Sequence, residues 1–161
     1  VADAAREIVR LLTSSGRTVG VAESLTGGRV VSALVDVPGA SAVVRGGVVA
    51  YATPLKHSLL GVDAELLAER GPVDAEVARR MAEGVRRAAA VDGRPADLGV
   101  ATTGVAGPDP QGQAPVGLVF VAVADERGST ARELRLPGDR EAVRSAAASA
   151  ALALLLEHAR S

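Results

Sequence analysis

Short, solid apolar runs alternate with longer segments of helical periodicity along this chain, and that alternation limits the folds open to it. Ala2 to Ser14 carries Ile8, Val9, Leu11 and Leu12 on one face and stops at Ser15-Gly16. Thr18 to Ala22 is a short apolar strand, followed by a predicted helix over Thr26 to Val35 that Pro38-Gly39 ends. Arg45 to Tyr51 is Val-rich and strand-like. Thr53-Pro54 opens a helix through Leu60, because Pro suits a first helical turn. Asp63 to Glu69 is a second short helix, and Asp74 caps a longer one to about Ala90. That helix buries Val77, Met81 and Val85 and places Glu76–Arg80 and Glu83–Arg87 as ion pairs on its wet side. Leu98 to Thr103 is a strand, Gly104 to Ala114 a Gly/Pro loop, and Val116 to Ala124 and Thr130 to Leu136 an antiparallel hairpin. Asp139 caps a last helix to about His158. Apolar strands between helices imply a sheet covered on both faces. The expectation is an α/β protein, a three-layer α/β/α sandwich with a mixed, mostly parallel sheet, built as one domain over residues 1–161.

Composition narrows the function. The 161 residues carry a net charge of -1, which gives no electrostatic footprint for nucleic acid. Cysteine is absent, which removes disulfides, thiol catalysis and Cys-based metal sites, and with two His a zinc enzyme is not expected. No apolar run reaches the ~18 residues of a membrane span. Without a leader at its start, the chain is expected in the cytoplasm, with no membrane or nucleic-acid partner.

The basic residues are the unusual part. Seventeen of 18 are Arg, and Lys56 is the only lysine. A bias that strong should erase any lysine that arginine can replace. Arginine keeps its proton in a protein, whereas lysine can lose it. Lys56 therefore stands out as a residue that must at times be neutral, with chance survival as the competing account. Flanking Leu55 and Leu59 are expected to bury it.

Three loops leave strand ends, where α/β folds bind ligands. In Ala22-Glu23-Ser24-Leu25-Thr26-Gly27-Gly28 a strand runs into Ser24 and a helix follows, a place for a nucleophile beside helix amides. Ser24 or Thr26 could equally cap that helix. In Thr102-Thr103-Gly104-Val105-Ala106-Gly107-Pro108-Asp109 the backbone amides could hold an anion, or the segment could merely connect. Arg140 and Arg144 share a face in the first turns of the last helix, against its dipole. A bound phosphate would reverse that penalty, and Asp139 and Glu141 could also offset it. Tyr51, the only tyrosine, stands five residues before Lys56. A Ser–Lys pair needs a desolvated lysine, and His57 is the other base within the same segment. His158 is read as a dipole partner at a helix end, and Met81 and Phe120 as core.

Together these motifs resemble the CinA C-terminal domain, or nicotinamide-nucleotide amidase, family. The resemblance rests on Ala22-Glu23-Ser24-x-Thr26-Gly27-Gly28, on Gly47-Val48-Val49-x-Tyr51 with Lys56 and Leu60-Gly61-Val62, on Thr103 to Asp109 with Pro115-Val116-Gly117, and on Gly138-Asp139-Arg140-x-x-Val143-Arg144. It implies hydrolysis of the carboxamide of nicotinamide mononucleotide to nicotinic acid mononucleotide and ammonia, without metal or other cofactor. Ser24 falls on the family's nucleophile, Lys56 and Tyr51 on its partners. Substrate-binding positions fall on Thr26, Gly27, Gly28, Thr103, Gly104, Gly107, Arg140 and Arg144. The chain departs from many members at Val43-Val44 and at Thr53-Pro54, which bears on the pyridine pocket. The resemblance also implies a stand-alone form, with a homodimer or higher homo-oligomer as the expected assembly. A non-catalytic nucleotide-binding or regulatory module is the alternative; it would keep the Gly loops and arginines without needing Ser24 or Lys56.

Overall fold

The computed structural model describes residues 1–161. The elements are α1 (Ala2–Ser15), β1 (Val19–Glu23), α2 (Arg29–Val35), β2 (Val44–Val49), α3 (Thr53–Ser58), α4 (Ala64–Arg70), α5 (Ala75–Ala88), β3 (Leu98–Gly104), β4 (Leu118–Ala124), β5 (Ser129–Arg135) and α6 (Arg140–Ala159). The sheet runs β2-β1-β3-β4-β5. β1 is parallel to both β2 and β3, while β4 is antiparallel to β3 and to β5. Only β4 is reversed, so the sheet is mixed and mostly parallel, as the sequence suggests.

The period of two along β4 divides the core. Val119, Val121 and Val123 face one layer with Val19, Val21 and Val100, where Ile8 and Leu12 of α1, Val30 and Leu34 of α2, and Leu152 and Leu155 of α6 meet them. Phe120, Ala122 and Ala124 face the other, against Val77, Met81 and Val85 of α5. Met81 and Phe120 are both core. With almost no aromatic volume, the α5 layer packs by close backbone approach. A Cβ on Gly99 would lie 2.0 Å from Ala82 O, so α5 can press against β3 only because that residue is glycine.

Caps fall where the sequence puts them: Asp74 accepts from Glu76 N and Val77 N, and Asp139 from Ala142 N. Three details differ. The second helix begins at Arg29 rather than Thr26, because Gly27 (φ 60°) and Gly28 (φ 101°) are left-handed and residues 25–28 form a turn. The fourth strand begins at Leu118, because the Gly117 amide turns back to Val105 O. Glu83 pairs with Arg80 and accepts from the Ser129 hydroxyl, instead of pairing with Arg87. No helix is long and apolar enough to cross a membrane.

Candidate active site

The parallel strands β1, β2 and β3 all deliver their carboxyl ends to one edge of the sheet. A cleft of about 290 Å³ opens there, with Ser24, Tyr51, Lys56, Thr103, Gly107 and Arg140 in its wall. Gly104 also lines it. Ser24 follows directly on β1, and Thr103 and Gly104 end β3. Tyr51 and Lys56 come from the turn and helix after β2, and Arg140 from the first residue of α6.

Lys56 reaches in from α3 and is 1% exposed. Its Nζ lies 3.1 Å from Ser24 Oγ and donates to Ala50 O at 2.8 Å. No carboxylate pairs with it, and burial pulls its ammonium down to about 8. The burial does not come from the flanking leucines, since Leu55 and Leu59 are 38% and 49% exposed. They lie on the outer side of α3, while Lys56 points inward. The Ala50 peptide ties the lysine to the sheet: its N–H donates to Glu23 O and its carbonyl accepts from Nζ. His57 lies outside the cleft wall, exposed, with Nδ1 against Val62 O at 2.7 Å. His158 contacts Leu154 O in the last turn of α6.

The Ser24 turn is held from three sides. Neither Ser24 nor Thr26 caps α2, whose N-cap is Gly28. The capping acceptor is Glu23, 1% exposed, whose carboxylate accepts from Val30 N at 2.8 Å and Val31 N at 3.3 Å. Below, Thr102 Oγ1 accepts from Ser24 N at 3.4 Å and shares a 2.8 Å hydrogen bond with Thr26 Oγ1. From α6, Arg144 Nε donates to Leu25 O at 2.8 Å and Nη2 to Thr26 O at 3.4 Å. The Leu25 and Thr26 amides, by contrast, donate to no group of the protein.

Of the residues singled out from sequence, Thr26, Gly27, Gly28 and Arg144 stand behind the cleft wall rather than in it. Thr26 is fully buried. Gly27 leaves room for Arg144, since a Cβ there would lie 2.9 Å from Nη2. Arg140 is in the wall; its Nη1 donates to Gly107 O at 2.6 Å and its Nη2 to Tyr51 Oη at 3.1 Å, both neutral acceptors. Thr103 Oγ1 donates to Pro72 O at 2.6 Å. Sequence reasoning assigned no role to Glu23 or Thr102. The signal for Glu23 is its place as the sole carboxylate ending an apolar strand beside Ser24; for Thr102 there is none, because its partners are 76 and 78 residues away.

A doubly covered, mostly parallel sheet with a buried Ser–Lys contact at its carboxyl edge defines the class. The chain belongs to the CinA C-terminal domain family, whose model matches residues 1–159. A CinA-like protein of Frankia casuarinae is 48% identical over 148 residues, 92% of this chain and 33% of its own. A CinA-like protein of an Anaeromyxobacter species is 49% identical over 149 residues, 92% of this chain and 35% of its own. The chain thus spans about a third of the length of these relatives. Among crystal structures, the competence/damage inducible protein CihA of Agrobacterium tumefaciens superposes with a TM-score of 0.89 at 36% identity, covering 97% of this chain and 93% of that one. A competence-damaged protein (CinA) superfamily protein of Klebsiella pneumoniae gives 0.91 at 30% identity, covering 99% and 97%.

Proposed function

We propose that this chain is a nicotinamide mononucleotide amidohydrolase that works through an acyl-serine intermediate. The observation that carries the reading is the 3.1 Å contact between Ser24 Oγ and a buried Lys56 with no anionic partner. A serine hydroxyl is a weak nucleophile until a base takes its proton. With a pKa of about 8, roughly a tenth of Lys56 is neutral at pH 7, against less than a thousandth for an ordinary lysine. In that state Nζ still donates to Ala50 O and turns its lone pair to Ser24 Oγ.

The steps balance as an ordinary amide hydrolysis. Neutral Lys56 takes the Ser24 proton as Oγ attacks the carboxamide carbon. The carbonyl oxygen gains the negative charge, and the unpaired amide of Leu25, a residue of the cleft wall, is the donor at hand for it. Collapse breaks the C–N bond, and the proton held by Lys56 passes to the amine, directly or through Tyr51, so that ammonia leaves. Water then attacks the ester, Lys56 takes a proton from it and returns it to Ser24, and nicotinic acid mononucleotide is released. No step calls on a cofactor.

Binding energy away from the carboxamide has to orient a poor electrophile. Arg140, on the cleft wall and held only by neutral acceptors, is assigned to the 5′-phosphate. Thr103, Gly104 and Gly107 line the ribose side, and the Ala106 and Gly107 amides, which donate to no group of the protein, offer further hydrogen bonds there.

The test is to incubate purified protein with nicotinamide mononucleotide and follow ammonia release and the mass of the nucleotide product. Equimolar ammonia and the acid product support the reading. Tight binding with no turnover at high enzyme concentration would leave a nucleotide-binding module instead.

A further inference from the structure

We infer that Tyr51 is the aromatic platform for the pyridinium ring, so that the cleft selects a cationic, N-ribosylated carboxamide over a neutral one of the same shape. This deepens the amidase reading and rests on it. The ring of Tyr51 is held at both ends by groups of the cleft. At its backbone end, the peptide whose carbonyl accepts from Lys56 Nζ leads into Tyr51, which keeps the Tyr51 Cα within ~6 Å of Nζ. At its far end, Oη accepts from Arg140 Nη2 at 3.1 Å. The ring therefore spans the stretch of wall between the base beside Ser24 and the arginine assigned to the phosphate. A bound mononucleotide has to lay its pyridinium along that stretch. Its carboxamide carbon stands ~3 Å from Ser24 Oγ for attack, and the aromatic ring begins one bond beyond.

Tyr51 is also open to a ligand. It is 62% exposed and belongs to neither apolar cluster of the core, so at least one face of its ring is uncovered. Phe120, the one other aromatic residue of the chain, is buried on β4, which leaves Tyr51 as the only π-face in the cleft wall. The apolar groups around it are aliphatic, Leu25, Val73 and Val105 among them, and aliphatic surface is indifferent to charge. A pyridinium nitrogen that carries ribose has no N–H to donate and no lone pair to offer, so no hydrogen bond can read its charge. The negative face of a tyrosine can. Asp109, the only carboxylate in the wall, is the other group able to sense that charge, but it is exposed to water, which screens it.

The test reads binding without turnover. Ser24→Ala protein is titrated by calorimetry with nicotinamide mononucleotide and with the C-ribonucleotide of benzamide, which has the same shape and no ring charge. The cationic ligand should bind about 3–30-fold more tightly, the range of a cation–π contact. Tyr51→Leu on that background should cut the ratio at least ~threefold, mainly by weakening the cationic ligand. Tyr51→Phe keeps the ring without the hydroxyl and should leave the ratio within about twofold. A tyrosine that only relayed a proton would leave it unchanged in both variants. The inference is overturned by a ratio near one at the start, by a ratio that survives Tyr51→Leu, or by one that Tyr51→Phe also abolishes. A ratio lost only in Asp109→Asn overturns it too, as does failure of both ligands to bind at millimolar concentration. Ammonia release by the protein with Ser24 intact is measured separately. Charge preference without turnover removes the amidase reading and keeps the platform; turnover without charge preference does the reverse.

Discussion

Lys56 Nζ lies 3.1 Å from Ser24 Oγ and 2.8 Å from Ala50 O, and no carboxylate shares it. A structural lysine would be paired or would extend its ammonium to water, since an unpaired buried charge is strongly disfavoured. This one is buried and partnered only by neutral oxygens, so the environment shifts its balance toward the unprotonated form. The same relationship links catalysis and stability, because the group that must lose a proton to act also destabilises the fold while it keeps it.

Ser24→Ala should abolish carboxamide hydrolysis, by about 10⁴-fold or more, while leaving the fold and nucleotide affinity nearly intact. Since α2 takes its cap from Glu23 and not from Ser24, the variant removes no helix cap. Turnover by ammonia release and binding by calorimetry check both halves. A variant keeping a tenth of the activity would remove Ser24 from the nucleophile role.

Burial of Lys56 should be visible in unfolding. Its folded pKa is about 8, against ~10.4 in an unfolded chain. Below pH 8 both states are protonated and the fold carries the full desolvation penalty. Between pH 8 and ~10.4 the unfolded state binds more protons, so wild type gains stability with rising pH relative to Lys56→Met. The advantage of the Met variant should shrink by about 3 kcal/mol across that window, measured by urea unfolding at fixed pH values. A gap that does not move with pH would mean that Lys56 is not desolvated in solution.

Glu23→Gln keeps the size of the side chain but replaces one acceptor with an N–H₂ group, facing either Val30 N or Val31 N. A buried donor facing a donor is expected to lower stability by about 1–3 kcal/mol, read from chemical denaturation. Activity per folded molecule should fall as well, because the start of α2 and the Ser24 turn share this carboxylate. Unchanged stability would show that solvent reaches these amides.

Arg140→Ala should raise KM for the mononucleotide by roughly 10–100-fold, the range of a charge-assisted contact, and affect the phosphate-free riboside far less. An equal loss on both substrates would point instead to the link Arg140 makes between Gly107 and Tyr51.

The alternation of apolar strands with capped helices was legible because each element states its own period and its own ends: Asp74, Asp139 and the hairpin around Asp125 to Ser129 all act locally. Lys56 was legible through composition, against 17 arginines. What escaped is long-range or conformational. The guanidinium of Arg144 and the carbonyl of Leu25 are 119 residues apart, and nothing in either segment says that the arginine faces backbone and not a ligand. The helix predicted from Thr26 loses its first turn to two left-handed glycines, a backbone conformation that glycine permits but its presence does not announce. The burial of Lys56 comes from the inward face of α3 and could not be read from Leu55 and Leu59, which flank it in sequence and point out.

The most direct measurement is the pH–rate profile of wild type beside Lys56→Arg. Arginine keeps the charge and most of the length but holds its proton throughout the accessible range. Wild-type kcat/KM should rise with pH through one ionisation near 8, as Lys56 becomes neutral in the free enzyme. Lys56→Arg should lose roughly 10²–10⁴-fold, and its residual rate should show no such limb. An Arg variant of near wild-type activity with the same pH dependence would contradict the Ser–Lys account and return the base to another group, with His57 the first to examine.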